Sequence, residues 1–357
     1  MKNIVLTGSG SFMPDRVVKN EDFLNQDFYD EKNQKFETEN EVIIKKFEEI
    51  TGIVERRWIE DDMNTDDMGF LAGERAIEDA KIDREQLDYI IVGQNAGQVL
   101  KGSHQSDMIP SIASRIKQKL KIKNKYTIAY DLLFGCPGWL QGVIHMYGFM
   151  RAGMVNKAMV IGVDALSRIV DPYDRDSMIF ADGAGATIFE VKEEEERRGI
   201  LSYSMVSDTL IEADYLYMDK SYNLNHKNNA RYIKMLGRKI YEYSLLNVPA
   251  AMKEALDKSG VGIEDVKKVF IHQANEKMDD AIIKRFFRLY KIKDVDPMMM
   301  PMSISTLGNS SVATIPTLID LVRKKKCRKN HKVKEGDVVI FASVGAGMNI
   351  NAVVYKF

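Results

Sequence analysis

Short apolar runs rich in β-branched residues alternate with longer helical patterns along the whole chain. Continuous apolar runs predict strands that are buried on both faces, and their alternation with helices predicts an α/β layered fold. The clearest predicted strands are Ile4–Thr7, Tyr89–Val92, Tyr126–Tyr130, Ala158–Val163, Ala186–Phe189, Val269–His272 and Val338–Ala342. The clearest predicted helices are Met68–Ala80, Pro110–Leu120, Trp139–Arg151, Val248–Ser259 and Val312–Arg323.

A charged run at Lys192–Arg198 divides the chain of 357 residues near its middle. On either side, a glycine followed by a polar residue leads into a helix rich in small and apolar residues, at Gly135-Cys136 and at Gly308-Asn309. This echo suggests two similar halves, each placing a reactive side chain at a helix N-terminus. We therefore expect one half over residues 1–190 and the other over residues 191–357. The charged run itself is typical of a solvated surface.

Charge and composition exclude several classes of function. The 51 basic residues nearly balance the 52 acidic ones, so no overall field favours nucleic acid or anionic membrane. The only two cysteines predict reduced thiols and a cytoplasmic location rather than a disulfide scaffold. We expect no signal peptide and no membrane span, because no apolar run is long enough for either. Cysteines and histidines are too sparse for a conventional zinc site, and no nucleotide-binding fingerprint is complete, so no metal or cofactor is expected.

Cys136 is the first candidate for a reactive side chain. A predicted strand ends near Asp131, the chain turns at Gly135, and Pro137 is placed to begin a helix, which makes Cys136 its N-cap. The unpaired N–H groups and partial positive charge of a helix N-terminus favour thiolate, the nucleophilic form of cysteine. A buried structural cysteine is the alternative interpretation of the same pattern.

Three further segments bring polar groups to the ends of predicted elements. His272 ends a strand at the edge where open α/β sheets collect ligands, although the pattern taken alone favours a satisfied core histidine. Asn309 precedes a helix, where it is either a site residue or an ordinary cap. The glycine-rich turn Gly345–Gly347 follows an apolar strand, and its backbone N–H groups form either an oxyanion hole or a plain turn.

With these residues in view, the sequence resembles the β-ketoacyl-[acyl-carrier-protein] synthase III branch of the thiolase-like condensing enzymes. The resemblance extends over almost the whole chain, and the joint occurrence of its motifs is highly specific. The motifs are TGIVERRW (51–58), the Cys136 segment, DPYDRDSMIFADGAGAT (171–187), HQAN (272–275), GNSSVATIP (308–316) and the final GAG (345–347).

The resemblance implies a thiolase-like five-layered αβαβα fold with two duplicated halves, and a homodimer. In the family's mechanism, Cys136 accepts an acyl group from a CoA or acyl-carrier-protein (ACP) thioester. Malonyl-ACP then decarboxylates, and its carbanion attacks the acyl-cysteine. His272 and Asn309 would donate hydrogen bonds to the developing enolate, which requires neutral donors rather than a strong base. The backbone N–H groups of Cys136 and Ala346 would form the oxyanion hole.

The resemblance also implies substrate-binding residues, among which this sequence departs from the family. Arg175, Ile109, Gly237 and Gly345 fall at substrate-binding positions. Val54 stands where well-studied members carry an arginine that contacts the CoA phosphates, and the tryptophan that stacks on adenine has no counterpart among residues 41–51. These losses favour an ACP-borne or unusual donor. Ile109 replaces a phenylalanine that closes the partner subunit's acyl pocket, so a longer or branched chain could be admitted.

Carrier-protein docking is expected at Lys277, Lys284 and Arg285, which match a basic helix of the family, since carrier proteins are acidic. Segments 27–46 and 94–107 are longer than usual and are expected to flank the substrate entrance.

Three functions stay open from the sequence. The first is a ketosynthase in fatty-acid initiation or in a specialised lipid, polyketide or pigment pathway. The second is non-decarboxylative condensation or acyl transfer to another nucleophile; residues 94–107 contain no glutamate that could serve as its base. The third is a non-catalytic acyl-binding subunit, which would be expected to have lost one of the three active residues.

Overall fold

The computed structural model describes residues 1–226 and 228–357. The helices of these residues are α1 (Asn40–Thr51), α2 (Thr65–Ala80), α3 (Ile112–Lys119), α4 (Gly138–Arg151), α5 (Gly237–Ser259), α6 (Glu276–Arg288), α7 (Ile304–Leu307) and α8 (Thr314–Arg323). The strands are β1 (Lys2–Phe12), β2 (Val17–Lys19), β3 (Glu55–Arg57), β4 (Tyr89–Gln94), β5 (Ile128–Leu133), β6 (Lys157–Ala165), β7 (Asp182–Glu193), β8 (Gly199–Ser207), β9 (Leu216–Asp219), β10 (Tyr232–Met235), β11 (Val266–Ile271), β12 (Val338–Gly345) and β13 (Asn349–Lys356).

The large sheet repeats one pairing pattern. Its order is β11-β12-β13-β8-β1-β7-β6-β4-β5. From β1 outward, the neighbours β7, β6 and β4 pair antiparallel, antiparallel and parallel, and from β8 outward β13, β12 and β11 do the same. The two series meet through the single pair Ile4↔Gly199. The boundary expected between residues 190 and 191 lies within β7, which continues to Glu193; the domain division at that position stays a prediction.

The helices form three layers around the two sheet series. A central layer contains α4 and α8, whose Trp139 and Leu318 belong to one buried cluster with Val160 of the first series and Phe341 of the second. Helices α2 and α3 cover the outer face of the first series, and α5 and α6 cover the outer face of the second. Burial on both faces explains why these strands are continuously apolar in sequence.

The predicted elements are present, with shifted bounds. Helix α5 begins at Gly237 rather than at the predicted Val248. The sequence pattern does not reveal its first turns, because they are mostly exposed and lack an apolar stripe. Pro249 lies inside the helix. The predicted helix Val312–Arg323 begins as a 3₁₀ turn and becomes α-helical at Thr314. Strands β8 and β13 complete the second series beyond the clearest predicted strands. Among the helices of the described residues, none is long and apolar enough to cross a bilayer.

Candidate active site

The carboxyl ends of strands from both series converge on one region. Cys136 follows β5 and precedes α4, whereas His272 follows β11 and Ala346 follows β12. Asn309 lies between α7 and α8, where its backbone pairs with the segment before β7: its N–H donates to the Ile179 carbonyl at 3.0 Å. Three of these residues thus stand at strand ends, where α/β sheets place their ligands.

Cys136 lies one position further from its helix than the sequence predicts. Helix α4 begins at Gly138 with Pro137 as its N-cap, so Cys136 precedes the cap. The backbone of the β12 turn packs directly against it. A Cβ on Gly345 would lie 2.4 Å from the Cys136 nitrogen, and a Cβ on Gly135, whose φ is +66°, would lie 2.6 Å from the Ala346 nitrogen. Only glycines allow the two predicted oxyanion donors to approach this closely.

Burial outweighs the helix N-terminus in setting the charge of the thiol. Burial raises the pKa of Cys136 to about 12, a hydrogen bond from the Ser311 hydroxyl lowers it, and the carboxyl of Asp164 raises it further. The expected thiolate is therefore not the resting form, because desolvation disfavours the anion more than the nearby N–H groups favour it. The sulfur must lose its proton as it attacks a substrate.

His272 is buried, with 4% of its surface exposed, and its ring is neutral. Burial lowers the pKa of His272 to about 4, and the Ser311 backbone offsets a smaller part of this effect. Its Nδ1 makes no hydrogen bond of normal geometry to any described residue. A neutral imidazole at this position is a hydrogen-bond donor or acceptor, not a standing positive charge.

The side-chain amide of Asn309 has a fixed orientation. Its Oδ1 accepts a hydrogen bond from the Ser311 N–H at 2.8 Å, which leaves the NH₂ group to donate elsewhere. Ser311 itself has a φ of +52°, and its Oγ lies 3.3 Å from Sγ of Cys136. Ser311 thus contacts two of the three predicted catalytic residues and affects the pKa of the third.

Cys136 opens into an apolar cavity of about 360 Å³, here termed the inner cavity. Gly135, Ala346 and Ser311 also belong to its wall. Its other lining side chains are mainly aliphatic and aromatic: Leu133, Phe134, Leu166, Ile169, Phe180, Leu216, Tyr217, Met218 and Ile233. A cavity of this character accommodates an aliphatic chain next to the sulfur.

A second cavity of about 510 Å³, the outer cavity, lies on the other side of the Ile179–Phe180 segment. Ile179 lines the outer cavity and Phe180 the inner one, while Asn309 lines the outer one. Helix α1 and the loop before it supply Phe36, Val42, Lys46 and Phe47, and Arg175 and Gly237 also lie in the wall. The long segment 27–46 therefore forms part of this cavity.

An aromatic ring packs against the guanidinium group of Arg175. The Cζ atom of Arg175 lies 4.9 Å from the centroid of Phe36. Val54 is 47% exposed and offers no charge. An aromatic ring from upstream of residues 41–51 thus contacts the arginine directly.

The remaining predicted residues are on the surface. Ile109 is 86% exposed on the loop between β4 and α3, outside the residues that line either cavity in the described chain. Lys277, Lys284 and Arg285 are exposed on α6, where Lys284 pairs with Asp280 at 2.5 Å. Helix α6 adjoins the outer cavity through Asn275 and Met278.

Sequence reasoning overlooked three polar residues beside Cys136. Asn95 follows β4 and Asp164 lies near the end of the parallel strand β6, so the strand-end argument applied to His272 would also have found both. Ser311 lies within the GNSS motif, where nothing in the sequence distinguishes it from Ser310. Phe36 carried no local signal, because only the fold brings it to Arg175.

Comparisons with known proteins agree with this geometry. The family model described as 3-oxoacyl-[acyl-carrier-protein (ACP)] synthase III matches residues 130–209, and the model of its C-terminal region matches residues 256–357. The β-ketoacyl-[acyl-carrier-protein] synthase III of Staphylococcus haemolyticus is 30% identical over 360 residues, covering 99% of each chain.

Solved structures give the same result for the fold. The 3-oxoacyl-[acyl-carrier-protein] synthase III of Aquifex aeolicus has a TM-score of 0.80 and 27% identity, covering 99% of this chain and 100% of that one. The priming β-ketosynthase of the R1128 polyketide pathway has a TM-score of 0.81 over 99% and 96% of the two chains, but at 22% identity it shows the shared fold alone. The predicted thiolase-like α/β class is confirmed.

Proposed function

Because this chain belongs to the β-ketoacyl-[acyl-carrier-protein] synthase III family, we propose that it loads an acyl group onto Cys136 and condenses it with malonyl-ACP. The chain is an acyltransferase of the condensing type. The observation that carries the finer proposal is the position of Cys136, with its sulfur in the inner cavity and the Asn309 and Ser311 turn beside it.

The proposed reaction has two steps that balance without a cofactor. In the first, Sγ of Cys136 bonds to the acyl carbon as the donor's C–S bond breaks, and the thiol proton passes to the departing thiol. In the second, the malonyl C–C bond breaks to release CO₂, and the carbanion bonds to the acyl carbon. The bond to Sγ then breaks, and the sulfur regains a proton. We propose no resident metal or cofactor.

Neutral donors support the decarboxylative step. The enolate that forms after loss of CO₂ is stabilised by hydrogen bonds, and a base is not needed. His272 is uncharged because burial holds its pKa near 4, and the Asn309 amide has its NH₂ group available. The close approach of Gly345 to Cys136 supports the backbone N–H groups of Cys136 and Ala346 as the oxyanion hole for acyl transfer.

The side chains around the outer cavity favour a carrier-borne acyl donor. Phe36 already stacks on Arg175, which occupies one face of the guanidinium that would otherwise hold an adenine ring. The exposed Lys277, Lys284 and Arg285 on α6 offer positive charge beside the same opening. An acidic carrier protein would be steered to that helix, and its pantetheine arm would follow the outer cavity to Asn309.

The inner cavity supports an aliphatic acyl group, and its full shape depends on a second subunit. Ile109 is 86% exposed on one chain, which fits the proposal that it closes the acyl pocket of a partner in a homodimer. An isoleucine leaves more room than the phenylalanine it replaces. Both fatty-acid initiation and a specialised pathway remain compatible with this pocket.

The two other functions find less support. Non-decarboxylative condensation needs a base that reaches the substrate's α-carbon. Asp164 is the acid near the inner cavity, but it accepts two hydrogen bonds from Asn95 and is not a lining residue. A non-catalytic subunit would not need the intact set of Cys136, His272 and Asn309.

The test is to incubate the protein with panels of acyl-CoA and acyl-ACP donors and to measure intact mass. We expect an acyl adduct that is absent from Cys136→Ala, formed faster from ACP donors. Addition of malonyl-ACP should then remove the adduct and yield 3-oxoacyl-ACP with release of CO₂. Malonyl-independent turnover of two acyl thioesters would establish the alternative, and no adduct with any donor would refute the proposal.

A further inference from the structure

A chain of polar side chains, with Asp164 and Ser311 buried and Asn95 half-buried, ends on the sulfur of Cys136. Ser311, with 3% of its surface exposed, has its Oγ 3.3 Å from Sγ. Nδ2 of Asn95 donates to the same Oγ at 2.9 Å. Nδ2 of Asn95 also donates to Asp164 Oδ2 at 2.7 Å, and its backbone N–H donates to Oδ1 at 2.8 Å. None of these three residues is part of the mechanism proposed above.

The direction of the hydrogen bonds made by Asn95 is fixed. The carboxyl of Asp164 accepts twice from Asn95, which sets the orientation of the Asn95 amide. The amide nitrogen must then act as donor to Ser311, whose oxygen accepts that bond. Ser311 keeps its single hydroxyl hydrogen, which faces two acceptors, Sγ at 3.3 Å and the Asp164 carboxyl, so the serine can donate to the sulfur when the sulfur carries negative charge.

We infer that Ser311 is a further catalytic residue, which donates a hydrogen bond to Sγ of Cys136 whenever negative charge develops there, and that Asn95 and Asp164 position it. The inference rests on the proposed role of Cys136 as the acyl-accepting nucleophile. Ser311 contacts the reacting atom directly, whereas Asn95 acts through Ser311 and Asp164 acts through Asn95.

Both proposed steps place charge on this sulfur. In acyl transfer the thiol loses its proton as the S–C bond forms, and in condensation the thiolate leaves when the carbanion attacks. The site is apolar on the side of the acyl chain, so a donor fixed in advance has more effect there than in water. Such a donor is needed because burial raises the pKa of Cys136, and the Ser311 hydroxyl opposes this rise in pKa.

The left-handed backbone of Ser311 belongs to the same arrangement. Its φ of +52° is uncommon for a residue with a side chain. The Ser311 N–H bonds to Asn309 Oδ1, which holds the turn and directs the hydroxyl towards the inner cavity. A glycine would adopt this backbone without strain, so Ser311→Gly removes the hydroxyl while suiting the turn.

The experiment measures the rate at which iodoacetamide alkylates Cys136 as a function of pH, with the modified peptide identified by mass spectrometry. A hydrogen bond to a charged group shifts a pKa by about one unit, partly offset by the higher nucleophilicity of the more basic thiolate. Ser311→Ala and Ser311→Gly should therefore both lower the rate about three- to tenfold at each pH. Ser310→Ala, a neighbouring buried hydroxyl that contacts Thr314, is the matched control and should keep the wild-type rate.

Asn95→Ala tests the positioning role. It should lower the alkylation rate less than Ser311→Ala does, and the double variant should be no slower than Ser311→Ala alone. Wild-type rates in both Ser311 variants, or an equal fall in Ser310→Ala, would overturn the role of Ser311. Additive effects in the double variant would overturn the role of Asn95. Alkylation needs no acyl donor, so these outcomes are separate from failure of the proposed condensation.

Discussion

The inner and outer cavities are separated by the Ile179–Phe180 segment and are built differently. The inner cavity joins strand ends from both sheet series, and its reactive part consists of turns held by close backbone contacts at Gly135 and Gly345. The outer cavity is walled by helices and by a long loop, with exposed charges such as Lys46 and Arg175 around it. The reactive part of the inner cavity is therefore held by the backbone, whereas the outer cavity is formed by side chains of helices and a loop.

This difference separates chemistry from the choice of donor. Groups fixed by backbone packing cannot change without loss of the reaction, because catalytic donors must be held at set distances. Side chains on a helix and loop, such as Phe36 and Lys46, can change one at a time without moving the backbone of the inner cavity. We therefore expect substitutions around the inner cavity to reduce the rate strongly, and substitutions around the outer cavity to redistribute activity among donors.

Removal of the enolate donors should have the largest effect after loss of the nucleophile. Asn309→Asp keeps the acceptor for the Ser311 N–H but removes the NH₂ donor, so condensation should fall about 10²- to 10³-fold while acyl-adduct formation changes much less. Single-turnover rates of both steps provide the measurement. An equal loss in both steps would mean that Asn309 acts earlier than proposed.

Gly345→Ala tests the close backbone contact of the inner cavity. The added Cβ would lie 2.4 Å from the Cys136 nitrogen, so the two loops must separate. We expect adduct formation to fall about 10- to 100-fold and the free energy of unfolding to fall by about 1–3 kcal/mol. Gly148→Ala, on the helix that follows Cys136 and with no atom within 4 Å of its added Cβ, is the control and should be neutral or stabilising. Normal adduct formation in Gly345→Ala would argue against the oxyanion hole.

Lys277→Glu should affect only carrier-borne substrates. Reversal of this exposed charge on α6 should raise KM for an ACP donor about three- to tenfold at low salt, with the difference shrinking as salt is added. Kinetics with a CoA donor should be unchanged. Lys125→Glu, an exposed lysine before β5, provides the charge-matched control. A similar effect from both variants would place docking elsewhere.

Phe36→Ala, in the outer cavity, should change the preference between CoA and ACP donors. Removing the ring that covers Arg175 frees one face of the guanidinium, on which an adenine can stack. We expect kcat/KM for a CoA donor to rise about two- to fivefold relative to the same acyl group on ACP. Unchanged donor preference would mean that Phe36 does not restrict CoA.

The pH dependence of condensation should be the smallest effect. His272 is neutral above its lowered pKa of about 4, so it gains no charge when the pH falls through 6.5. Starting from preformed acyl-enzyme, the single-turnover rate should change less than about twofold between about pH 5.5 and 8. Burial raises the pKa of Asp164 to about 7, so the same profile is measured in Asp164→Asn. A loss centred near 6.5 that persists in this variant would show that His272 titrates as an ordinary histidine and would contradict its role as a buried neutral donor.

The sequence alone identified the α/β class, the family resemblance and the residues Cys136, His272 and Asn309. Buried strands and strand-end turns can be recognised from local sequence patterns, because a buried strand requires an apolar run and a sharp turn requires a glycine. The exact start of α4 was misplaced by one residue, since Pro137 suits the N-cap as well as the first turn.

Only the tertiary structure decided the charge of the site and its polar support. The thiol of Cys136 is neutral at rest because of burial, which no neighbouring residue in sequence reveals. The hydrogen bonds from Asp164 through Asn95 to Ser311 join residues up to 216 positions apart. Phe36 likewise meets Arg175 only after the chain has folded. Local pattern determines which elements form, whereas desolvation and long-range contacts determine what their side chains do.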